Sequence, residues 1–364
     1  MPKPLTRKER MIRAYTHQEM DRPGVYCRTA FPTDDPTYDE LKAYLQAHSD
    51  LKPHWSGFAV QEPYRTEHYT EQPSPETHRK VTTLHTPAGD LTSKVRYVMA
   101  GAEAMEEEPL IKSVEDAKTY LSLPMPKLGG DVAGHFALQQ QTGDTGIVEV
   151  AMGLNPAGMT AANCGSENFA MFSATDRDVV HALCQREMDV AMARVKYLLS
   201  KGVGEFFSSL GQEYIVPPLH GPRDYEDFNL RYDKPIFDLI HEADGRVHVH
   251  CHGKVKSVFP LFLKTGIDVL HPFEPPPMGD ITGSEAKAIA GSALTLEGNI
   301  EIADMYEQSP QYIRRLTEEL IDDAFADRQG LILCASSSPY IPGKGQVCFP
   351  QFKAMIDTVL AWQG

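Results

Sequence analysis

Short apolar runs that alternate with helix-like stretches constrain the fold of this chain more than any other feature of its sequence. Six such runs follow residue 145, at 146–152, 205–210, 247–250, 267–270, 293–296 and 330–334. Strands that alternate with helices pair in parallel, because each helix returns the chain to the edge of the sheet at which the previous strand began. The sequence therefore predicts an α/β protein with a parallel sheet.

Two further strands are predicted nearer the N-terminus, at 21–27 and near 57–60. With the six later runs they make the eight strands that a (β/α)8 barrel requires. The 364 residues of the chain suit one barrel of this kind. We therefore predict a single TIM barrel domain over residues 1–364, with an open doubly wound sheet as the alternative on pattern alone.

The segment 34–125 interrupts the alternation of strands and helices. It is polar and irregular in pattern, and two runs at 82–87 and 91–98 flank Ala88-Gly-Asp90 as a predicted hairpin before a helix near 113–122. We interpret this segment as an elaboration of the barrel. Elsewhere, Thr6-Arg-Lys-Glu9 predicts a capping box at the start of a first helix, and Ser309-Pro310 predicts the start of another.

Composition excludes several classes of protein. The six cysteines show no paired spacing, and the first ten residues lack an apolar signal core, so a reduced, cytoplasmic protein is expected. No run approaches the roughly 18 apolar residues that span a bilayer. The formal charge of -15 disfavours nucleic acid and anionic membranes as partners.

The stretch Arg246-Val-His-Val-His-Cys-His-Gly253 carries the clearest chemical signal. Side chains alternate along a strand, so His248, His250 and His252 should share one face and Cys251 should lie on the other. Alternating histidines on one wall are typical of a metal site. The alternative is that some of them only form hydrogen bonds inside a polar core.

Active sites of TIM barrels lie at the carboxyl ends of the strands, and this rule selects the other candidates. A catalytic zinc ion usually has three protein ligands and one open position. The predicted metal ligands are His250, His252, Glu274 and Cys334. The predicted substrate-binding residues are Gln212, His248, His271 and Asn299. Glu213 and Tyr214 are predicted to orient the substrate or take its proton, although an exposed loop carboxylate is the commoner role of such a glutamate.

Several segments together resemble the uroporphyrinogen decarboxylase superfamily. They are the opening from Thr6 with Asp21-Arg-Pro, the segment Gly153-Leu-Asn-Pro-Ala-Gly-Met-Thr-Ala-Ala, Gly211-Gln-Glu213 with Pro217-Pro, and the His-x-His-Gly element with Gly266-Ile-Asp268. The resemblance covers nearly the whole chain and implies a (β/α)8 barrel. The superfamily contains porphyrinogen decarboxylases and zinc-dependent methyltransferases that move methyl groups between corrinoids and thiols.

The His-x-His-Gly element resembles the methyltransferase branch, in which a His-x-Cys element ends one barrel strand and another cysteine lies near the last. His250 matches the histidine, and His252 stands where the first cysteine is expected. Cobalamin-independent methionine synthase, which is similar in site chemistry, has a glutamate ligand between these two elements. Glu274 falls in the corresponding interval of this chain. Cys334 lies near the last ligand position; if that position aligns instead with Ser336 or Ser337, Cys334 is a structural strand residue.

This resemblance implies a zinc-dependent methyltransferase that acts between a corrinoid, either methylcobalamin or a corrinoid protein, and a small thiol or other small acceptor or donor. The corrinoid would be carried by a separate protein, and a homodimer is compatible with the sequence. Decarboxylases of the superfamily use paired arginines in an N-terminal loop and no metal, whereas this chain offers Arg28 there. Metal-free decarboxylation is therefore the second hypothesis, and a non-catalytic metal-binding or regulatory partner of a corrinoid system is the third.

Overall fold

The structure is a computed structural model that describes residues 4–57, 59–98 and 104–363. Eight parallel strands, here labelled β1 to β8, form its main sheet. They are β1 (Gly24–Val25), β2 (His54–Trp55), β3 (Glu149–Leu154), β4 (Phe206–Leu210), β5 (Arg246–Cys251), β6 (Val269–Pro272), β7 (Thr295–Ile300) and β8 (Leu331–Ala335). Their order is β1-β8-β7-β6-β5-β4-β3-β2. The backbone N–H of Asp50 donates to the Val25 carbonyl at 2.7 Å, which brings the two ends of the sheet together. The predicted (β/α)8 barrel is confirmed.

Helices cover the outside of this sheet. The described α-helices are Arg7–Tyr15, Asp39–His48, Val114–Leu121, Ala133–Thr142, Pro156–Cys164, Ser166–Thr175, Arg177–Ser200, Pro222–Asp224, Arg231–His241, Phe259–Thr265, Gly283–Ala290, Asp304–Glu307, Pro310–Ala324 and Gly345–Ala361. Short 3-10 turns lie at Pro36–Tyr38, Gly143–Thr145 and Gln212–Ile215, and a π-helix lies at Tyr225–Leu230. Among these described residues, no helix is both long enough and apolar enough to cross a membrane.

The prediction of a barrel strand near 57–60 was wrong in its position. The barrel strand is β2, a few residues earlier, and Ala59–Gln61 pairs instead with Lys127–Gly129 in a separate antiparallel ribbon. Phe58 lies outside the described residues. Two residues are too few to show a period of two, so the sequence offered no pattern by which to find β2.

The segment 34–125 is more regular than its sequence indicates. It contains the helix Asp39–His48 and an antiparallel sheet, whose strands are Thr66–Ser74, Thr77–Thr86, Gly89–Val98 and Met105–Glu108. The predicted hairpin is confirmed, because Thr86 pairs with Gly89 across its turn. The first of these strands is exposed along most of its length. It therefore lacks the alternating apolar residues that identify a strand in a sequence.

The opening of the chain is held to the barrel by buried ion pairs. Asp50 is fully buried and lies 2.8 Å from Arg10 and 2.9 Å from Arg22, and it also accepts the backbone N–H of Val25 at 2.9 Å. Asp21 pairs with Arg10 at 2.7 Å. The Asp21-Arg-Pro motif therefore joins the first helix, β1 and the approach to β2, and its role here is structural.

The first helix begins with the predicted capping box. Thr6 accepts the backbone N–H of Glu9 at 3.1 Å, and Glu9 accepts that of Thr6 at 2.7 Å. We expect Thr6→Ala to lower the free energy of unfolding by about 1 kcal/mol, because the helix loses the acceptor for a backbone N–H. Thr6→Ser keeps the hydroxyl and should match the wild type. Urea unfolding of both variants tests this, and equal destabilisation by both would contradict it.

Candidate active site

The interior of the barrel holds a buried charge network. Lys52, just before β2, donates from Nζ to Glu297 Oε2 of β7 at 2.6 Å and lies 3.7 Å from Glu149 Oε1 of β3. Lys52 also donates to the Tyr15 hydroxyl at 3.1 Å, and that hydroxyl donates to Glu149. All four side chains are shielded from water. These contacts hold Glu297 in place below the carboxyl end of the barrel.

Electrostatics keep both carboxyl groups of this network ionised. Burial alone would raise the pKa of Glu149, but the Lys52 ammonium and nearby His248 and His54 outweigh it and lower that pKa far below its ordinary value. The pKa of Glu297 is also well below its ordinary value, since Lys52 and His248 outweigh burial there. The network thus contains two carboxylates and one lysine ammonium.

His248 lies between these two carboxylates. Its Nδ1 is 3.9 Å from Glu149 Oε1 and its Nε2 is 3.6 Å from Glu297 Oε1. Among the described residues, neither ring nitrogen of His248 nor Glu297 Oε1 has a hydrogen-bond partner, and all three atoms are buried. Burial and the Lys52 charge lower the pKa of His248. His248 was predicted to bind substrate, and the structure places it in the polar interior of the barrel, 1 % exposed.

A compact group of metal-ligand side chains lies next to this network. One ligand atom each from His271 at β6, Glu297 at β7 and Cys334 at β8 lie within 4.8 Å of one another, and all three residues are buried. Burial and the Glu297 charge raise the pKa of the Cys334 thiol to about 12. Cys334 is thus close to the imidazole of His271 and the carboxylate of Glu297, whereas its predicted co-ligands are His250, His252 and Glu274.

His250 and His271 face each other through their Nδ1 atoms at 2.8 Å. His271 Nε2 must donate to the Ala335 carbonyl at 3.1 Å, because a carbonyl oxygen only accepts. Burial and neighbouring positive groups, Arg28 among them, lower the pKa of both histidines well below the ordinary value. A neutral His271 therefore accepts a hydrogen bond from His250 Nδ1, and the lone pair of His250 is left on Nε2.

Arg28, just after β1, approaches the same histidine. Its Nη1 lies 3.2 Å from His250 Nδ1. If that nitrogen already carries a hydrogen for His271, it cannot also accept one from Arg28. The guanidinium therefore contributes positive charge to this end of the barrel, and it disfavours protonation of both histidines.

His252 and Glu274 form the outermost pair of predicted ligands. His252 Nδ1 lies 2.8 Å from Glu274 Oε1, and the backbone N–H of Gly253 donates to Glu274 Oε2 at 2.9 Å. The His252 side chain is 38 % exposed and that of Glu274 only 4 %. The ring centroids of His250 and His252 are 4.6 Å apart. Two of the predicted ligands thus touch, a third adjoins them, and His252 is accessible from outside.

The donor chemistry of these residues fits zinc. Imidazole nitrogen, carboxylate oxygen and thiolate sulfur are its usual protein ligands. His252 is the exposed member of this group, whereas His271, Cys334 and Glu274 are buried, so an ion held beside His252 could keep a coordination site for a substrate. A metal-bound histidine also commonly donates its second ring N–H to an acceptor, as His250 does to His271.

Two of the other predicted site residues, Glu213 and Asn299, lie at the carboxyl end of the barrel. Glu213 accepts the backbone N–H of Gly211 at 2.9 Å, and burial raises its pKa while the charges of His252 and Arg28 oppose the rise. Asn299 donates to the Phe273 carbonyl at 3.4 Å. These two contacts place both residues at the carboxyl ends of β4 and β7.

Gln212 and Tyr214 lie away from the histidines. The Gln212 side chain is 1 % exposed and donates to Asp233 Oδ2 of the helix Arg231–His241 at 3.0 Å. Asn155 donates to the same carboxylate at 2.9 Å. Two of the segments that resemble the superfamily, Gly153-Leu-Asn155 and Gly211-Gln-Glu213, therefore contact one buried aspartate. Tyr214 packs against an apolar cluster outside the barrel. The structure therefore does not place these two side chains with the predicted ligands.

Sequence analysis did not identify Lys52 and Glu149, two members of the buried charge network inside the barrel. Lys52 precedes a strand of two residues and had no periodic pattern around it. Glu149 had a usable signal, because it is a charged residue within the apolar run 146–152. A carboxylate within such a run implies a buried cation as its partner, and that cation is Lys52.

Fold and donor groups together define a (β/α)8 barrel with histidine, carboxylate and thiol side chains gathered at its carboxyl end. The model of the family described as uroporphyrinogen decarboxylase (URO-D) matches residues 154–342, which is just over half of the chain. The protein belongs to this family. A search of curated protein sequences finds no match.

Two solved structures match this chain at low sequence identity. A methyltransferase from Methanosarcina mazei is 11 % identical, with a TM-score of 0.61 over 97 % of this chain and 98 % of that one. A B12-independent methionine synthase from Shewanella sp. W3-18-1, in complex with selenomethionine, is 14 % identical, with a TM-score of 0.42 over 74 % of this chain and 71 % of that one. The first likeness shows a common fold, and the second is too weak to support a structural conclusion.

Proposed function

We propose that the protein is a zinc-dependent methyltransferase that moves a methyl group between a corrinoid and a small acceptor or donor. The observation that carries this proposal is the contact of His252 with Glu274 at 2.8 Å, beside His250, at the accessible end of the barrel. The methyltransferase from Methanosarcina mazei is a second support, since its fold is the same. The corrinoid would be methylcobalamin or a corrinoid held by a separate protein.

We propose His250, His252, Glu274 and Cys334 as the residues that hold the zinc ion. When bound, zinc would lower the pKa of a coordinated thiol or hydroxyl, so that the anion forms near neutral pH. His271 would keep the His250 lone pair on Nε2, and the Gly253 N–H would fix Glu274. Glu213 has a raised pKa and lies within electrostatic reach of His252, so it could accept the proton that the substrate loses.

The first test is metal content. Protein purified without chelators should contain about one zinc ion per chain, and Cys334→Ala should lose most of it. Cys251→Ala is the matched control, because Cys251 is an equally buried thiol on the other face of β5. The zinc-loaded protein should then demethylate methylcobalamin in the presence of the correct thiol or alcohol, and the metal-free protein should not.

Each other outcome selects a different function. Wild-type protein that contains no metal and binds a porphyrinogen would overturn the proposal and favour decarboxylation. Stoichiometric zinc with no turnover on any tested acceptor, and tight association with a corrinoid protein, would favour a regulatory partner. Equal zinc content in Cys334→Ala and Cys251→Ala would remove Cys334 from the ligand set.

A further inference from the structure

Four buried polar side chains meet where the segments that follow β3 and β4 contact the helix Arg231–His241 and the π-helix before it. They are Asn155, Gln212, Asn229 and Asp233, and none is more than 3 % exposed. The Asn155 amide donates to Asn229 Oδ1 at 2.9 Å and to Asp233 Oδ1 at 3.0 Å. The Gln212 amide donates to Asp233 Oδ2 at 3.0 Å. The Asp233 carboxyl group is therefore the acceptor on which these side chains converge.

Asp233 is held by amides and not by a cation. No lysine, arginine or histidine in the described part of the chain forms an ion pair with it. Arg194 lines the small cavity beside Asp233 and donates to the Met152 carbonyl at 3.1 Å. A carboxylate that is buried without a cation is unfavourable, so such a group takes up a proton more readily. Burial accordingly raises the pKa of Asp233 to about 7, although the Gln212 and Asn155 amides oppose the rise.

Other titratable groups surround Asp233 on the elements packed against it. They are Cys184, Glu187 and Arg194 of the helix Arg177–Ser200, Tyr225 of the π-helix and Cys251 of β5. Burial raises the pKa of both thiols and of the tyrosine hydroxyl, so these three groups stay neutral while Asp233 titrates. Burial also raises the pKa of Glu187, which accepts the Tyr120 hydroxyl at 2.8 Å. A variant of Asp233 is therefore needed to assign a titration near neutral pH.

The hydrogen bond between Gln212 and Asp233 depends on the charge of Asp233. An ionised carboxylate only accepts, and it receives the Gln212 N–H as observed. A protonated carboxyl group must also donate its O–H. Among the described residues, Gln212 Oε1 is a buried acceptor without a hydrogen-bond partner, and a turn of the amide would present it to that O–H. Protonation thus exchanges a charge-assisted hydrogen bond for a weaker neutral one.

Gln212 connects this group to the candidate site. It begins the 3-10 turn Gln212–Ile215, which also carries Glu213. Two contacts hold Gln212 to the helices outside the barrel. Its side chain donates to Asp233, and its backbone carbonyl accepts the Asn229 amide at 3.2 Å. A weaker contact with Asp233 therefore gives more freedom to the turn that positions Glu213.

We propose that Asp233 is a pH-dependent positioning residue for Glu213. Ionised Asp233 holds the Gln212 side chain and fixes the turn, and the uptake of a proton by Asp233 loosens it. The inference rests on the proposed function only in giving Glu213 a substrate proton to accept. The hold on the turn requires neither zinc nor a substrate.

Hydrogen–deuterium exchange of the whole chain, corrected for the intrinsic effect of pH, measures this hold. Peptides that cover 211–216 should exchange about fivefold faster at about pH 6 than at about pH 8 in the wild type, because a hydrogen bond to a charged group is about twice as strong as a neutral one. Asp233→Asn should exchange at the faster rate at both pH values, since asparagine is neutral and similar in shape. Equal corrected rates at the two pH values in the wild type would overturn the proposal.

Two further variants separate Asp233 from its surroundings. Gln212→Met removes the amide that contacts Asp233, so the turn should exchange at the faster rate at both pH values. Asp238→Asn is the matched control, because Asp238 lies on the same helix, has a 47 % exposed side chain and pairs with Lys234 at 2.6 Å. It should keep the pH dependence of the wild type. A pH dependence that survives in Asp233→Asn would contradict the proposal and assign the effect to another group, such as Glu187.

Infrared spectroscopy observes the proton on Asp233 directly. The wild type should show a carbonyl band of a protonated carboxyl group that fades between about pH 6 and about pH 8. Burial also raises the pKa of Glu301 to about 7, so the part of the band that Asp233→Asn lacks is the part that belongs to Asp233. Gln212→Met should keep that part, which makes the test independent of whether Asp233→Asn folds. A band that is the same in wild type and Asp233→Asn would contradict the proposal.

Zinc content, measured on the same samples, separates the two proposals. Exchange of the turn that depends on pH through Asp233, in protein that holds no zinc, would support the role of Asp233 and contradict the proposed function. Zinc-loaded protein in which the turn exchanges equally at both pH values would contradict the role of Asp233 alone.

Discussion

Replacing Lys52 with methionine is expected to lower the free energy of unfolding by about 3–5 kcal/mol, as is usual when one partner of a buried ion pair is removed. Lys52 is 1 % exposed and lies between two buried carboxylates, Glu297 at 2.6 Å and Glu149 at 3.7 Å. Methionine fills similar space but leaves both carboxylates without a lysine partner. The hydrogen bond to Tyr15 and the contact with the Tyr26 ring at 4.9 Å are lost as well.

Urea unfolding, followed by circular dichroism, measures this effect. Lys42→Met is the matched control, since Lys42 forms an exposed ion pair with Asp39 at 3.4 Å and should lose no more than about 0.5 kcal/mol. The double variant Lys52→Met/Glu149→Gln removes one of the two carboxylates and should recover part of the loss. A loss below about 1 kcal/mol in the single variant would show that the carboxyl groups do not depend on Lys52.

The same network predicts how acid affects stability. The pKa values of Glu149 and Glu297 are lower in the folded protein than in the unfolded chain, chiefly because the Lys52 charge outweighs burial. Their contribution to stability is therefore complete above about pH 4.3 and is lost as the pH falls through the folded-state values. In Lys52→Met these folded-state pKa values should rise toward or above the unfolded-state value, so urea unfolding at a series of pH values should show that acid removes less stability from the variant than from the wild type.

Sequence patterns predicted the later barrel strands because those strands are long and buried. The runs at 205–210 and 330–334 correspond closely to β4 and β8, and the histidine strand corresponds to β5. β2 could not be predicted, since it has two residues and takes its place from pairing with β3 and from the adjacent backbone contact of Asp50. Such contacts are distant along the chain and leave no local period.

The sequence predicted only part of the candidate site, because most of its contacts also join residues that are distant along the chain. His250 and His252 share a strand, so their common face follows from the period of two. Their partners come from other strands, and only the fold shows that His250 meets His271 while His252 meets Glu274. Glu274 and Gln212 were both selected by their position after a strand, yet Glu274 contacts His252 whereas Gln212 contacts Asp233. Position at a strand end thus selects a residue without fixing where its side chain lies.

His250→Ala is expected to abolish zinc binding, whereas His271→Phe should weaken it about 10–100-fold. The difference follows from the hydrogen bonds. His271 donates to the Ala335 carbonyl and accepts from His250 Nδ1, so it fixes the tautomer and the orientation of a proposed ligand without contributing a lone pair. His271→Gln retains both a donor and an acceptor and should lose less affinity than His271→Phe.

Competition with a chromophoric chelator measures these zinc affinities, and thermal unfolding of each variant confirms that it is folded. His181→Phe is the control, because His181 contacts Tyr232 on the outside of the barrel. The experiment also decides between two ligand sets. If zinc is held by the buried group of His271, Glu297 and Cys334, then His271→Phe should abolish binding as completely as His250→Ala is expected to, and His252→Ala should leave it intact. If zinc is instead held by His250, His252, Glu274 and Cys334, then His252→Ala should lose the metal. In the described part of the chain, His252 is the only imidazole that lies 2.8 Å from Glu274.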